Sequence, residues 1–235
     1  MNGKLKGQVA IVTGAGRGIG REIAALFTNA GVHVVVAEIA QPPDDTPKEG
    51  KMSLYVQTDI TDELQVESMV RRAEKEFGGI DILVNNAGIN VPGPVADTKI
   101  QDWDTILDTY LKGTFICSRA VLPIMKKQGH GQIINIASVA GKRGVASAAP
   151  YSASKFGVIG FSQALALEVK DFNIRVSVIC PGRVDNPNWA KIPGADRSKM
   201  LNATDVAQAI LFVASQSDKS VIAELVIRPF PADPA

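Results

Sequence analysis

The chain has 235 residues, 46% of them hydrophobic, which is enough to bury one substantial core, and we expect a single domain over residues 1–235. Its 25 basic and 24 acidic side chains are well mixed and leave a net charge of +1, which argues against nucleic acid or a membrane surface as a partner. No segment resembles a signal peptide or a membrane span, so the expected location is the cytoplasm.

Short runs rich in Val and Ile alternate with longer helical patterns along the chain. Strand-like runs cover residues 8–14, 33–38, 53–59, 81–88, 131–138, 174–182 and 220–229. Helical periodicity covers about 17–31, 62–77, 98–127, 150–171 and 203–215. The segment 39–50 contains three prolines and predicts a loop where a helix would be expected. This alternation predicts an α/β fold with a parallel sheet that is covered on both faces.

A glycine-rich turn joins the first strand to the first helix. The stretch TGAGRGIG (13–20) includes Gly14, Gly18 and Gly20. A helix N-terminus offers unpaired N–H groups and partial positive charge to an anion, and glycine allows a pyrophosphate to approach the backbone closely. The spacing differs from G-x-G-x-x-G, and a tight turn without a ligand is the competing interpretation.

An acidic residue, Glu38, ends the second strand. A carboxylate at this position can accept hydrogen bonds from a ribose diol and would repel a 2′-phosphate, which favours NAD over NADP. Arg17, within the glycine-rich turn, would act in the opposite direction if it met a phosphate. An ordinary solvated glutamate is the alternative interpretation of Glu38.

Tyr151 and Lys155 lie four residues apart near the start of a helix entered through Pro150, so their side chains share one face. A free tyrosine, with a pKa of about 10, is a poor base near neutrality. An ammonium about 4 Å away, at an effective dielectric of about 20, would lower the pKa of the phenol by roughly 3 units before desolvation counteracts it. If the two residues form a proton-transfer pair, we therefore expect a lowered phenol pKa. On spacing alone, an aromatic residue at a helix start beside a solvated lysine is the competing interpretation.

Several motifs occur together in one order: TGAGRGIG (13–20), NNAG (85–88), Ser138 at the end of the fifth strand, Tyr151-x-x-x-Lys155 and PGRV (181–184). In this combination the chain resembles the short-chain dehydrogenase/reductase family over nearly its whole length. The resemblance implies a Rossmann-like, doubly wound sheet of about seven strands with an NAD(P) cofactor. It also implies hydride transfer between the nicotinamide and a small alcohol or carbonyl substrate, in a homo-oligomer, either a dimer or a homotetramer.

The resemblance also implies roles for individual residues. Tyr151 would be the general acid/base, Lys155 its partner and Ser138 the hydroxyl that orients the substrate. The cofactor-binding residues would be Gly14, Arg17, Gly18, Ile19, Gly20, Glu38, Asp59, Ile60, Asn86, Ala87, Gly88, Tyr151, Lys155, Pro181, Gly182 and Val184. We expect no metal, because neither the two histidines nor the two cysteines have a metal-like spacing.

The chain also departs from this family. Tyr110, in TYLKGTF (109–115), stands where relatives carry an asparagine that helps hold a water in the proton relay to the lysine. A tyrosine hydroxyl could replace that asparagine or fill the space of the water, so we expect an impaired or rerouted relay. The segment near 184–202 is short for a substrate lid. Cationic residues in or near the predicted cleft are consistent with an anionic substrate, and an ordinary solvated surface is the alternative interpretation: Lys142, Arg143, Arg183, Lys191 and Arg197.

Two other functions remain open. A dinucleotide-binding sensor or scaffold would bind the cofactor without turnover. An isomerase or dehydratase of the same family would convert its substrate without net change in the cofactor. The intact Ser138, Tyr151 and Lys155 favour the NAD-dependent alcohol dehydrogenase or ketone reductase.

Overall fold

The computed structural model describes residues 4–40, 49–50, 52–89, 91–186 and 196–231. One eight-stranded sheet has the strand order β3-β4-β2-β1-β5-β6-β7-β8, and all pairings in it are parallel except that of β3 with β4. The strands are β1 (Val9–Thr13), β2 (His33–Glu38), β3 (Glu49–Gly50), β4 (Ser53–Gln57), β5 (Ile82–Asn85), β6 (Gly131–Ile136), β7 (Ile174–Pro181) and β8 (Glu224–Ile227). The predicted parallel sheet of seven strands is confirmed.

The predicted loop 39–50 is only partly correct. Glu49 and Gly50 form the short antiparallel edge strand β3 beside β4, which proline spacing alone did not indicate. Residues 41–48 of that prediction lie outside the described residues.

Within the described ranges, six α-helices surround the sheet: α1 (Gly18–Asn29), α2 (Glu63–Phe77), α3 (Ile100–Leu107), α4 (Gly113–Gln128), α5 (Ala149–Val169) and α6 (Ala203–Ala214). One apolar core contains α1 and α6, for example Phe27 and Ile210, and a second core contains α2, α4 and α5, for example Met69 and Leu165. Within β1, Val12 belongs to the first core and Ile11 to the second, as the two-residue period of a strand requires. The helices therefore cover both faces, as predicted.

The helix predicted over 98–127 is interrupted. A π-helical turn, Asp108–Lys112, separates α3 from α4. A π turn contains one residue more than an α turn and is common at functional sites. This turn carries Tyr110.

A network of hydrogen bonds between buried polar side chains joins two strands of the sheet to two of the helices. The Asn85 amide donates to Asn135 Oδ1 at 2.8 Å and to Ser118 Oγ at 3.2 Å, and the Asn135 amide donates to Ser162 Oγ at 2.8 Å. These four residues come from β5, β6, α4 and α5. Because a buried polar group without a partner is costly, this network of hydrogen bonds fixes the position of α5 against β6.

In the described part of the chain, no helix combines the length and the apolar character that a membrane crossing requires.

Candidate active site

The predicted site residues lie at one edge of the sheet, beyond the C-terminal ends of the parallel strands. β1 is the switch point, because β2 and β4 lie on one side of it and β5, β6, β7 and β8 on the other. In doubly wound sheets the crevice outside the strand ends at such a point is the usual ligand site.

The glycine-rich turn after β1 forms a cradle at the start of α1. Gly14 and Gly18 have φ values of +63° and +54°, a region that side chains with a Cβ rarely adopt. A Cβ at Gly20 would collide with the Gly14 carbonyl oxygen and lie 2.6 Å from Asn86 Nδ2. No side chain caps the N-terminus of α1, and its first turn contains no acidic residue. The cradle therefore fits a pyrophosphate, with the backbone N–H groups at Gly18, Ile19 and Gly20 at the open helix end.

Thr13 is part of this site, although the sequence analysis did not single it out. Its buried Oγ1 accepts hydrogen bonds from the Asn86 N–H at 3.0 Å and the Ala87 N–H at 3.1 Å. The Asn86 amide in turn donates to the Thr13 and Gly14 carbonyl oxygens at 2.9 and 3.1 Å. These bonds join the ends of β1 and β5. A threonine directly before the first glycine, at a strand end, was the available signal.

Glu38 lies at the end of β2, against the glycine-rich turn. Its Oε2 accepts a hydrogen bond from the Gly16 N–H at 3.1 Å, and its Oε1 accepts one from the Ile39 N–H at 2.9 Å. A Cβ at Gly16 would lie 2.9 Å from the Glu38 carboxylate, so this approach requires a glycine. Each carboxylate oxygen keeps a further lone pair for a ligand. Arg17 is exposed on the same turn.

The next predicted cofactor residues follow β4. The Asp59 carboxylate accepts hydrogen bonds from the Thr61 N–H and hydroxyl at 2.9 and 2.8 Å, so this side chain is engaged in its own turn. Ile60 is buried against Gly113 at the start of α4. Both bonds from Thr61 are accepted by Oδ1, so the Asp59 Oδ2 atom takes no part in them and can accept a hydrogen bond from a ligand.

The third wall of the site follows β7. The Gly182 N–H donates to the Ile227 carbonyl oxygen at 2.7 Å, which carries the turn after Pro181 onto the end of β8. Val184 forms an isolated bridge with Leu201, and the Arg197 guanidinium binds the Asp185 carboxylate at 2.6 and 3.0 Å. The two ends of the predicted lid are thus tied together, and residues 187–195 of that segment lie outside the described residues.

Ser138, Tyr151 and Lys155 are close to one another. Ser138 follows β6, and its Oγ accepts a hydrogen bond from the Ala140 N–H at 3.1 Å. Tyr151 and Lys155 lie one turn apart near the start of α5, and Ser138 is near enough to act on the pKa of Tyr151. The Ser138 hydroxyl donates to the Pro181 carbonyl oxygen at 3.4 Å. The Lys155 amine is buried and donates to the Ile136 carbonyl oxygen at 2.6 Å.

The expected lowering of the phenol pKa is wrong for this structure. Burial raises the pKa of Tyr151 and outweighs the hydrogen bond with Ser138, which acts in the lowering direction. Burial also lowers the pKa of Lys155 to about 7, so its amine is only partly charged at neutral pH. The estimate from spacing failed because desolvation depends on tertiary packing.

Tyr110 contacts both members of the predicted pair. Its ring lies edge-on to the Tyr151 ring with centroids 5.3 Å apart, and the Lys155 Nζ lies 3.9 Å from the Tyr110 centroid. On its other side, Tyr110 packs against Gly88, where a Cβ would collide with the ring. Tyr110 therefore connects the cleft floor after β5 to the predicted proton-transfer pair.

Among the described residues, three of the five cations named as candidates for attracting an anionic substrate are engaged within the protein, namely Lys142, Arg183 and Arg197. Lys142 binds the Glu224 carboxylate at 2.7 and 2.9 Å, and Arg197 binds Asp185 as described above. Arg143 is exposed, and Lys191 lies outside the described residues.

A doubly wound sheet with a glycine cradle and a Ser–Tyr–Lys group at one edge defines a dinucleotide-binding oxidoreductase. The model of the short chain dehydrogenase family matches residues 8–196, and the chain belongs to this short-chain dehydrogenase/reductase family. Members of the family are oxidoreductases that bind a nicotinamide dinucleotide, act on small molecules and are commonly oligomeric.

Curated relatives match the chain almost from end to end. The 3-oxoacyl-(acyl-carrier-protein) reductase FabG of Thermotoga maritima is 36% identical over 238 residues, which cover 95% of this chain and 96% of the relative. An uncharacterized oxidoreductase of Staphylococcus aureus strain USA300 is 35% identical over 229 residues, covering 96% and 98% of the two chains. A similar protein of strain MRSA252 is 35% identical over 234 residues, with the same coverage.

Gly20→Ala tests the cradle. The added Cβ would meet the Gly14 carbonyl oxygen, so we expect a loss of about 1–3 kcal/mol in the free energy of unfolding and weaker NADH binding. Gly160→Ala is the matched control, because a Cβ there meets nothing within 4 Å, and it should stabilise α5 by about 0.5–1 kcal/mol. Chemical denaturation and NADH fluorescence measure both effects. Equal stability of the two variants would contradict the close packing of the cradle.

Lys155→Met tests the burial of the amine. In the folded wild type the Lys155 amine has a pKa of about 7 and loses its proton above that pH. In the unfolded chain the amine has the ordinary lysine pKa of 10.5 and stays protonated up to that pH. Below the folded pKa both states are charged, and the folded state carries the whole penalty of burial. As pH rises from the folded to the unfolded value, the wild type therefore gains about 1.4 kcal/mol per pH unit.

We therefore expect Lys155→Met to exceed the wild type in free energy of unfolding near neutral pH, and this excess to shrink as the pH rises. Guanidinium denaturation at several pH values measures it. Lys75→Met, at an exposed position on α2, is the control that should show no such trend. A pH-independent difference between Lys155→Met and the wild type would show that the amine is not buried.

Proposed function

We propose that this protein transfers a hydride between NAD(H) and an alcohol or carbonyl substrate, with Tyr151 as the general acid/base. The observation that carries the proposal is the meeting of Ser138, Tyr151 and Lys155 at the sheet edge that also holds the glycine cradle. The Tyr151 phenol interacts with the Ser138 hydroxyl, and its ring centroid lies 5.7 Å from the buried Lys155 amine. These are the kinds of group that proton transfer requires.

When bound, the nicotinamide supplies the hydride to a carbonyl carbon or accepts it from an alcohol carbon. In the reductive direction, Ser138 donates a hydrogen bond to the carbonyl oxygen, which stabilises the negative charge developing there. Tyr151 gives its phenolic proton to that oxygen, and the phenolate that remains takes a new proton from solvent. In the oxidative direction, the Tyr151 phenolate removes the proton from the substrate hydroxyl. Lys155, in its charged form, stabilises the phenolate in both directions.

The protonation of Tyr151 favours the reductive direction. Because burial raises its pKa above the ordinary value of 10.0, the phenol keeps its proton throughout the neutral range and is ready to act as an acid. The Thermotoga relative is also described as a reductase. We infer that the protein is primarily a ketone reductase.

We propose NAD as the cofactor, with NADP less favoured. The Glu38 carboxylate is held at the end of β2 by the Gly16 and Ile39 N–H groups, within reach of the glycine-rich turn. A fixed negative charge at this place accepts hydrogen bonds from ribose hydroxyls and repels a 2′-phosphate. Exposed Arg17 is the one residue of this turn that would favour the phosphate.

Tyr151→Phe is the test of the reaction. Loss of the acid/base hydroxyl should lower NADH consumption with a panel of ketones and 3-oxo esters by about 10²–10⁴-fold, while NADH binding persists. Tyr55→Phe is the matched control, since it removes only a hydroxyl that bonds the Ala40 carbonyl oxygen at the exposed surface. Retained turnover in Tyr151→Phe would place the acid/base elsewhere. NADH binding without turnover in the wild type would favour a dinucleotide sensor instead.

Glu38→Gln is the test of cofactor choice. The substitution keeps the shape of the side chain and removes its charge, so the preference for NADH over NADPH in kcat/KM should fall by roughly tenfold or more. Glu74→Gln, at an exposed position on α2, should leave that preference unchanged. If the two variants behave alike, Glu38 does not select the cofactor.

A further inference from the structure

The π turn directs an aromatic side chain at the buried amine of the site. Tyr110 lies in the middle of Asp108–Lys112, and the Thr114 hydroxyl bonds its carbonyl oxygen at 2.6 Å. The turn lies against Gly88 on one side and α5 on the other. The position of this ring is therefore fixed by backbone geometry as well as by packing.

Three groups surround the Lys155 amine. The Ile136 carbonyl oxygen accepts its hydrogen bond at 2.6 Å, the Tyr110 ring centroid lies 3.9 Å from Nζ, and the Tyr151 ring centroid lies 5.7 Å away. A cation this close to a ring face is attracted by the aromatic quadrupole, and the attraction is strongest where water is excluded. Lys155 is 3% exposed, so this condition is met.

In the part of the chain that the structure describes, no anion balances this amine. The π turn carries Asp108 and Lys112, which form an ion pair with each other at 3.5 Å. Across the described ranges, the titratable groups that contact or act on Lys155 itself are Tyr110 from the π turn, Tyr151 from α5 and Cys180 from β7. Burial raises the pKa of both phenols, and it raises the pKa of the Cys180 thiol to about 11, so all three are neutral at neutral pH. Among the described residues, no salt bridge involves Lys155. The ring face and the carbonyl oxygen are therefore the groups that can stabilise a charged Lys155.

We propose that Tyr110 is a positioning residue whose ring face holds the Lys155 ammonium against the Ile136 carbonyl oxygen, in place of a counter-ion. The proposal rests on the proposed function, in which the charged lysine stabilises the Tyr151 phenolate. It changes the role expected for Tyr110 from sequence: the ring face, and not the hydroxyl, is the active feature. Tyr110 thereby keeps Lys155 charged to higher pH than burial alone would allow.

The test measures Lys155 directly in the protein without cofactor or substrate. Lysine labelled with ¹³C at Cε gives one NMR signal per side chain, and the signal absent from Lys155→Met identifies Lys155. We expect it to titrate near pH 7 in the wild type. Tyr110→Phe, which keeps the ring, should stay within about 0.3 unit of the wild type, whereas Tyr110→Leu, which keeps apolar bulk only, should titrate roughly one unit lower.

A second readout is taken on the wild type and does not depend on Tyr110→Leu. Protons above a ring face are shielded, so the Lys155 Hε signals of the wild type should lie upfield of those of other lysines. Tyr110→Phe should keep this displacement. A Lys155 pKa that is unchanged or higher in Tyr110→Leu, or Hε signals at the ordinary lysine position in the wild type, would overturn the proposal, and the second result does so even if Tyr110→Leu fails to fold.

Turnover with cofactor and substrate tests whether the charge of Lys155 affects the reaction. The alkaline limb of the kcat–pH profile should move down by the same amount as the Lys155 pKa in Tyr110→Leu and remain in place in Tyr110→Phe. An unmoved limb despite a moved pKa would overturn the positioning role. Because the NMR titration does not depend on turnover, failure of this proposal is distinguishable from failure of the proposed reaction, which Tyr151→Phe tests separately.

Discussion

The Lys155 amine lies in the dry interior of the protein, with the Ile136 carbonyl oxygen 2.6 Å away and a tyrosine ring beneath it. Taking an ammonium out of water is costly unless other dipoles replace the solvent. The folded state meets this constraint only in part, because burial still lowers the pKa of Lys155 to about 7. The neighbouring elements are arranged around this constraint: the end of β6 supplies the carbonyl, the π turn supplies the ring, and α5 carries the amine to both.

The arrangement depends on how α5 sits against β6, and this is fixed by polar contacts inside the core. The Asn135–Ser162 hydrogen bond links the two elements directly, and the Asn85–Asn135 bond joins β6 to β5. At the switch point itself, Thr13 joins β1 to the segment that begins with Asn86, directly after β5. Because the two bonds of Asn135 are buried, a shift of one residue in register would leave polar groups in the core without partners. The cleft floor and the Ser–Tyr–Lys group are thus held by the same interior bonds.

Much of this could be predicted from sequence, for identifiable reasons. Apolar periodicity and the glycine-rich turn have short sequence signatures, so the parallel sheet and the place of the cradle followed from them. The π turn could not be predicted, because one extra residue within 98–127 leaves the helical pattern almost unchanged. The pairing of Lys142 with Glu224, 82 residues away, depends on the tertiary fold. The pKa of Tyr151 moved opposite to expectation for the same reason, since the sequence gives the spacing of charges but not their exclusion from water.

Burial raises the pKa of Tyr151 and lowers the pKa of Lys155, and both changes favour the uncharged form of the group. A buried site of this kind therefore favours uncharged groups, and the Tyr151 phenol keeps its proton before the reaction. Proton transfer to a substrate oxygen creates a phenolate, and an ammonium beside it then gains a counter-ion that it lacked at rest. Electrostatic stabilisation is thus concentrated in the state that forms during the reaction, which is the condition for lowering a barrier rather than for tightening ground-state binding. The Tyr110 ring attracts the Lys155 ammonium but carries no charge. It therefore helps to keep Lys155 protonated without acting as its counter-ion before the phenolate forms.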